Sequence, residues 1–204
     1  MGFVKKKSTG AVDRSKVYFG GRHFIGVDAT FKHFRADAHS AVYEKMTIFN
    51  MENLQVTMTC SLQYYLIPDE LKYLHDAYDL AYEPIIKKTT SSAIKNAATK
   101  FTVDEYRKER SKVAAALFTA ARIGLGGICC PKDCKKFKCY KGCKPYSTCA
   151  QSDKGVYSFL KSFQLQEVDI TDDQEKRFLQ RVIEQEKQDT EMFKKQEKVL
   201  LQLH

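Results

Sequence analysis

From Leu54 to Leu66 the chain alternates with period two. Leu54, Val56, Met58, Cys60, Leu62, Tyr64 and Leu66 fall on one side, and Gln55, Thr57, Thr59, Ser61, Gln63 and Tyr65 on the other. Alternation of this kind gives a strand one apolar face and one largely polar face. At roughly 3.3 Å per residue the strand reaches about 43 Å, long for a globular protein. The pattern predicts a central antiparallel strand with its apolar face covered and its polar face wet. Upstream, residues 16–19, 22–27 and 31–34 read as short strands and 38–49 as a longer one. Asn50-Met51-Glu52-Asn53 turns the chain into the central strand.

Downstream of Pro68 the apolar period lengthens to that of a helix. Leu71, Leu74, His75 and Tyr78 share one face. A second helix opens near Pro84 and carries Ile85, Ile86, Ala93, Ile94 and Ala97. A third starts at a capping box, Thr102 with Glu105, and is stopped by Gly124, Gly126 and Gly127. These helices are expected over 68–79, 84–100 and 102–123. Residues 156–170 return to strand alternation. A second capping box, Thr171 with Gln174, opens a last helix that runs to the end. The expected fold class is α+β: a twisted, mostly antiparallel sheet with helices packed on one side, followed by a long C-terminal helix.

The last helix carries a heptad seam through Phe178, Val182, Gln185, Asp189, Met192, Gln196, Val199 and Leu203. Five of the eight positions are apolar, so the helix needs a partner to cover them. Phe178, Val182, Met192, Val199 and Leu203 are therefore the candidate oligomerisation residues. The domain plan that follows is a basic flexible N-terminus over 1–15, a domain over 16–170 with an insertion at 129–149, and the helix over 171–204.

Charge changes the picture at two places. The net charge is +9. Residues 1–22 hold six Lys or Arg against one Asp, and residues 129–149 hold six Lys against one Asp. The rest of the chain is near neutral, so two basic patches sit on a neutral body. Lys5, Lys6, Lys7, Lys135, Lys136 and Lys138 are the candidates for contact with a membrane or an acidic partner. No run of 18 apolar residues is present, and the first ten residues lack the apolar core of a secretory signal. Gly2 invites myristoylation, but Lys6 stands where that motif wants Ser or Thr.

No catalytic motif was found. G-x-S-x-G, the phosphate-binding P-loop, H-E-x-x-H and the EF-hand loop are all missing from the sequence. No catalytic residue, metal ligand, cofactor or small-molecule substrate is assigned, and the chain is not read as an enzyme. Asp104, Glu105 and Glu109 lie among Arg107, Lys108 and Arg110 and read as a solvated, salt-bridged face. Cys60 lies on the apolar side of its strand and reads as a buried inert thiol. His23, His33 and His39 share no metal spacing and read as surface or half-buried residues.

The local signal is the cluster Cys129, Cys130, Cys134, Cys139, Cys143 and Cys149, six cysteines in 21 residues. No C-x-x-C pair occurs, and such close pairs are usual at structural zinc. A small disulfide knot is the first reading. Zinc, or free or palmitoylated thiols, are the alternatives. An oxidised knot places this face outside the cell or in a lumen; otherwise the cytoplasmic face is expected.

The order of these elements resembles the stomatin/prohibitin/flotillin superfamily, the SPFH or band 7 domain. The stretches that carry the resemblance are Gly21-Arg22-His23-Phe24-Ile25-Gly26, the strand Val56–Leu66, Pro68–Leu71, Ala93–Thr102 followed by Tyr106 and Arg110, and Phe163–Ile170. The usual Asp-Gly before the long strand is Glu52-Asn53 here, and the Cys-rich segment looks like an insertion. The resemblance implies a membrane-associated oligomeric scaffold that organises a membrane microdomain or protein complex by lateral packing of its helices. Its partners would be further copies of itself, or related chains, with membrane lipids or a membrane protein. The alternative is a soluble nucleic-acid-binding module using the basic insert, where Phe137 and Tyr140 interleave with lysines. Nucleic acid is the less favoured partner.

Overall fold

The computed structural model describes the chain except residues 131, 133–138, 171, 203 and 204, and except the side chains of 172–175, 177–178 and 196–202. Among the described residues, six strands and five α-helices follow in the order β1 (Gly2–Lys6), β2 (Val12–Tyr18), β3 (Ala29–His33), β4 (His39–Phe49), β5 (Gln55–Leu66), α1 (Leu71–Tyr78), α2 (Tyr82–Ala98), α3 (Val103–Lys108), α4 (Arg110–Gly126), β6 (Ser158–Ile170) and α5 (Asp172–Gln202). They form two antiparallel sheets, ordered β2-β1-β3 and β4-β5-β6.

The long alternating strand is β5, and it lies at the centre of its sheet. Val56, Met58, Cys60, Leu62, Tyr64 and Leu66 are all buried. They share one core with Leu71 and Leu74 of α1, Ile86, Ile94 and Ala98 of α2, Tyr106 of α3, and Val113, Leu117, Ala121 and Leu125 of α4. The opposite face carries polar pairs, such as Gln166 donating to the Ser61 hydroxyl at 3.2 Å. The hairpin from β4 to β5 is closed by Asn50, whose side-chain oxygen accepts from the Glu52 and Leu54 N–H groups. Asn53 takes the left-handed conformation at φ 56°, a role that Asn fills more readily than most residues. Glu52 also accepts from the Val103 N–H at 3.0 Å, so the turn is tied to the start of α3.

The fold differs from the sequence reading in three places. Residues 1–15 are not a flexible tail. Gly2–Lys6 is the middle strand of the first sheet, and Phe3 is fully buried against Phe34 and His75. One buried phenylalanine and pairing on both edges outweigh a basic, polar composition. Residues 22–27 are a loop rather than a strand. The expected helix over 102–123 is two helices that meet at Glu109 (φ −117°, ψ 38°). The capping box holds: Glu105 N–H donates to the Thr102 hydroxyl, and the Glu105 carboxylate accepts from the Thr102 N–H. Just beyond the break, Arg110 donates to the carbonyls of Leu165 and Gln166 on β6 at 3.2 and 2.7 Å. The second capping box involves Thr171, which lies outside the described residues.

Candidate functional site

Two surfaces stand out, one at the β2–β3 loop and one at the cysteine-rich insert. The loop over residues 19–28 is bracketed by Gly20, Gly21 and Gly26. Its base is fixed by aromatic contacts: the His23 ring meets Tyr18 and Phe31 edge-on, and its Nε2 lies 2.8 Å from the Phe19 carbonyl. Its tip is apolar. Phe24 is 100% exposed and Val27 96%, which excludes a role for either in this domain's own core. Phe19 is exposed as well.

The first sheet brings Lys7 beside this tip, with Lys6 paired to Ala29 just below it. The Lys7 N–H donates to the Asp28 carbonyl at 2.8 Å, and its Nζ reaches the Val27 carbonyl at 3.4 Å. Ser8 binds the Asp28 carboxylate through its N–H and its hydroxyl. Lys5 is half-buried in β1, Lys6 is exposed at the end of that strand, and Lys7 is exposed in the turn after it. A cleft below the loop is lined by Arg14, Lys16, Phe19, Asp69 and Lys72. Exposed apolar side chains with a lysine beside them suit an anionic, apolar-cored surface. Phe24 and Val27 were not singled out in the sequence, where 22–27 read as strand. The three glycines around them were the available signal.

The insert leaves and returns through a narrow neck. Ile128 N–H donates to Asp153 O at 2.9 Å, Val156 N–H to Leu125 O at 2.8 Å, Lys144 N–H to Ile128 O at 2.9 Å and Cys130 N–H to Lys144 O at 2.8 Å. Gly127 and Gly155 cross at the base of the neck, with φ +72° and +60°. A Cβ on Gly127 would stand 1.8 Å from the Asp153 carbonyl oxygen, so only glycine fits. The Lys144 ammonium holds Asp153 at 2.6 Å and, by that hydrogen bond, lowers its carboxyl pKa.

Cys129 is bonded to Cys149 and Cys130 to Cys143, with Cα separations of 6.1 and 5.0 Å. Cys139 is disulfide-bonded too. Cys134, Lys135, Lys136 and Lys138 lie outside the described residues. Cys60 is free and buried, and burial pushes its thiol up to about 11, away from thiolate reactivity. The Tyr140 ring is covered by the Arg122 guanidinium at 4.1 Å. That contact occupies a face the nucleic-acid alternative would have used for stacking.

Under the neck lies a buried ion pair. Lys154 Nζ meets Glu70 at 3.3 Å, both side chains are buried, and the ammonium also sits over the Tyr146 and Tyr73 rings. Burial raises the Glu70 pKa above its ordinary 4.5, with Lys154 opposing the rise. For Lys154, burial acts against the charge, but Glu70 and Tyr146 together outweigh it and the pKa is raised. Removing one partner of a buried pair costs about 3–5 kcal/mol. Lys154→Met is therefore expected to destabilise the protein by that order at neutral pH. In the variant the folded-state Glu70 pKa lies above its unfolded value, so the variant's relative stability is greatest below pH 4.5 and falls as pH rises through the raised value. Urea melts of both proteins across this range check it; a stability gap that narrows as pH rises contradicts it.

His39 is buried, not at the surface: it stacks on Tyr64 at 4.9 Å with its Nδ1 3.4 Å from Glu83. On α5, Val182 is half-buried and Met192 exposed, while the Phe178 and Val199 side chains and Leu203 lie outside the described residues. The exposed apolar side chains also include Leu179, Ile183 and Phe193, beside the expected seam rather than on it. No described side chain of α5 is buried.

The family model for the SPFH domain / Band 7 family matches residues 2–199. The chain therefore belongs to the SPFH domain / Band 7 family. The match begins at β1, in agreement with a first strand that is part of the domain. No curated protein sequence matches the chain. Among the described residues, no helix is long and apolar enough to cross a membrane.

Proposed function

We propose that this chain is a membrane-associated oligomeric scaffold that binds lipid through the β2–β3 loop and assembles through α5. The observation that carries the reading is α5 itself. It is 31 residues long, and Leu179, Ile183, Met192 and Phe193 are each at least half exposed. An amphipathic helix with no apolar partner is marginal in water, and packing against another copy supplies what it lacks. Charges at Lys187, Glu191 and Lys194 would flank such a seam. Membrane contact draws its support from Phe24 and Val27 with Lys7 at their base and Lys6 exposed next to it. The scaffold's partners are then its own copies and anionic lipid, and no step of chemistry on a substrate is assigned to it.

The test is solution mass by light scattering for the full chain and for residues 1–170. The full chain is expected to assemble and the truncated one to be a folded monomer. A monomer in both cases removes the scaffold reading.

A further inference from the structure

We infer that the reduced insert is a zinc site, with the thiolates of Cys130, Cys139 and Cys143 as ligands. The sulfurs of these three half-buried residues all lie within 4.8 Å of one another. Disulfides use sulfurs in pairs. Cys130 and Cys143 share one bridge and Cys139 belongs to another, so two bridges meet at one point, and their reduction leaves three thiols gathered there, the arrangement a metal requires. At a Zn–S distance of about 2.3 Å the sulfurs of a tetrahedral site are roughly 3.8 Å apart, within reach of the observed cluster.

The backbone explains the convergence. Tyr140 to Cys143 is a tight turn closed by Cys143 N–H on Tyr140 O at 3.4 Å, with Gly142 at φ +85° in its third position. That turn folds Cys139 and Cys143 back on each other. Three residues separate them, which falls within the two-to-four spacing of zinc-binding cysteine pairs. The neck then sets Cys130 beside the turn through its N–H bond to Lys144 O. Six lysines lie between Cys129 and Cys149, and positive charge favours the thiolate form that a metal needs. The insert has little apolar material with which to build a core. Where disulfides are reduced, a metal is the remaining way to staple it.

The two states interconvert with balanced chemistry. A dithiol reductant delivers two electrons and two protons to the Cys130–Cys143 bond, giving two thiols while the dithiol closes to its own disulfide. The bond that holds Cys139 opens in the same way. Zinc binding then displaces the thiol protons to solvent, and water or a further donor completes the tetrahedron. Cys129–Cys149, at the neck, is not part of the metal set. The inference is independent of the scaffold reading.

The experiment uses the full chain, reduced anaerobically with a dithiol, given zinc, desalted and analysed for bound metal. About one zinc per reduced chain is expected, with none on the oxidised chain. Cobalt(II) in place of zinc should show strong thiolate charge-transfer absorption. Cys139→Ser and Cys143→Ser should lose the metal, while Cys60→Ser and the double variant Cys129→Ser/Cys149→Ser should keep it. A reduced wild-type chain that retains no metal overturns the proposal. So does a triple Cys130/Cys139/Cys143→Ser variant that binds zinc as well as wild type. Far-UV circular dichroism shows whether each variant is folded, and the wild-type cobalt spectrum decides the question if a variant is not.

Discussion

Gly127→Ala is expected to destabilise the protein by more than about 2 kcal/mol, the sum of a left-handed alanine and a backbone collision. The new Cβ would fall 1.8 Å from the Asp153 carbonyl oxygen and 2.7 Å from the Gly155 nitrogen. Neither is the end of a flexible side chain, so the two strands of the neck must part. With them go the Ile128 to Asp153 and Val156 to Leu125 hydrogen bonds. Gly142→Ala is the control: φ is +85° but nothing lies within 4 Å of the added Cβ. It should cost only the conformational part, about 1–2 kcal/mol. Urea midpoints of the two variants measure the difference. Equal losses would show that the crossing is not tight.

Replacing Phe24 and Val27 together by Asp is expected to lower partitioning onto phosphatidylserine/phosphatidylcholine vesicles about a hundredfold or more. Burying side chains of this size is worth about 1.5–3 kcal/mol each, and 1.4 kcal/mol is a factor of ten. The lysines at the loop's base act differently. Each contributes about 1 kcal/mol near an anionic surface, and that part is screened by salt. Lys6→Ala/Lys7→Ala should therefore weaken binding mainly at low salt, whereas the Phe24/Val27 variant should be impaired at every salt concentration. Co-sedimentation with vesicles reads both. Unchanged binding by the Phe24/Val27 variant would mean that another surface meets the lipid. Because both residues are already exposed, the folded domain should tolerate the change, and its urea midpoint serves as the check.

The elements legible in the sequence were those whose own pattern decides them. β5 declared itself because its alternation is unbroken, and its buried row is the expected one from Val56 to Leu66, with Leu54 half-buried just before the strand. The Thr102–Glu105 capping box was legible because both hydrogen bonds are made within four residues. What escaped depends on contacts remote in sequence. β1 looked like a tail because its pairing partners are 12–18 and 29–33, and because a single residue, Phe3, carries its burial. The break at Glu109 follows no local helix breaker; it accompanies the reach of Arg110 to carbonyls 55 and 56 residues away. The lysines of the N-terminus were recognised as a candidate contact, but their apolar companions were not. Phe24 and Val27 become a candidate site only once the first sheet sets Lys7 beside them. On α5 the heptad reading ran through half-buried Val182 and exposed Met192 and passed over the exposed Leu179, Ile183 and Phe193, because a strict seam is narrower than the exposed apolar stripe.

A segment that departs and returns side by side can be exchanged like a cassette. The Gly127–Gly155 crossing and the hydrogen bonds above it hold the two ends together whatever is strung between them. The entropy of closing such a loop grows only slowly with its length, about 0.6 kcal/mol for each doubling. The sheet and helices beneath therefore register a change in the insert weakly. A longer loop, a shorter one, or one of quite different composition could be carried on the same neck, so the domain can acquire or shed local chemistry without refashioning its core.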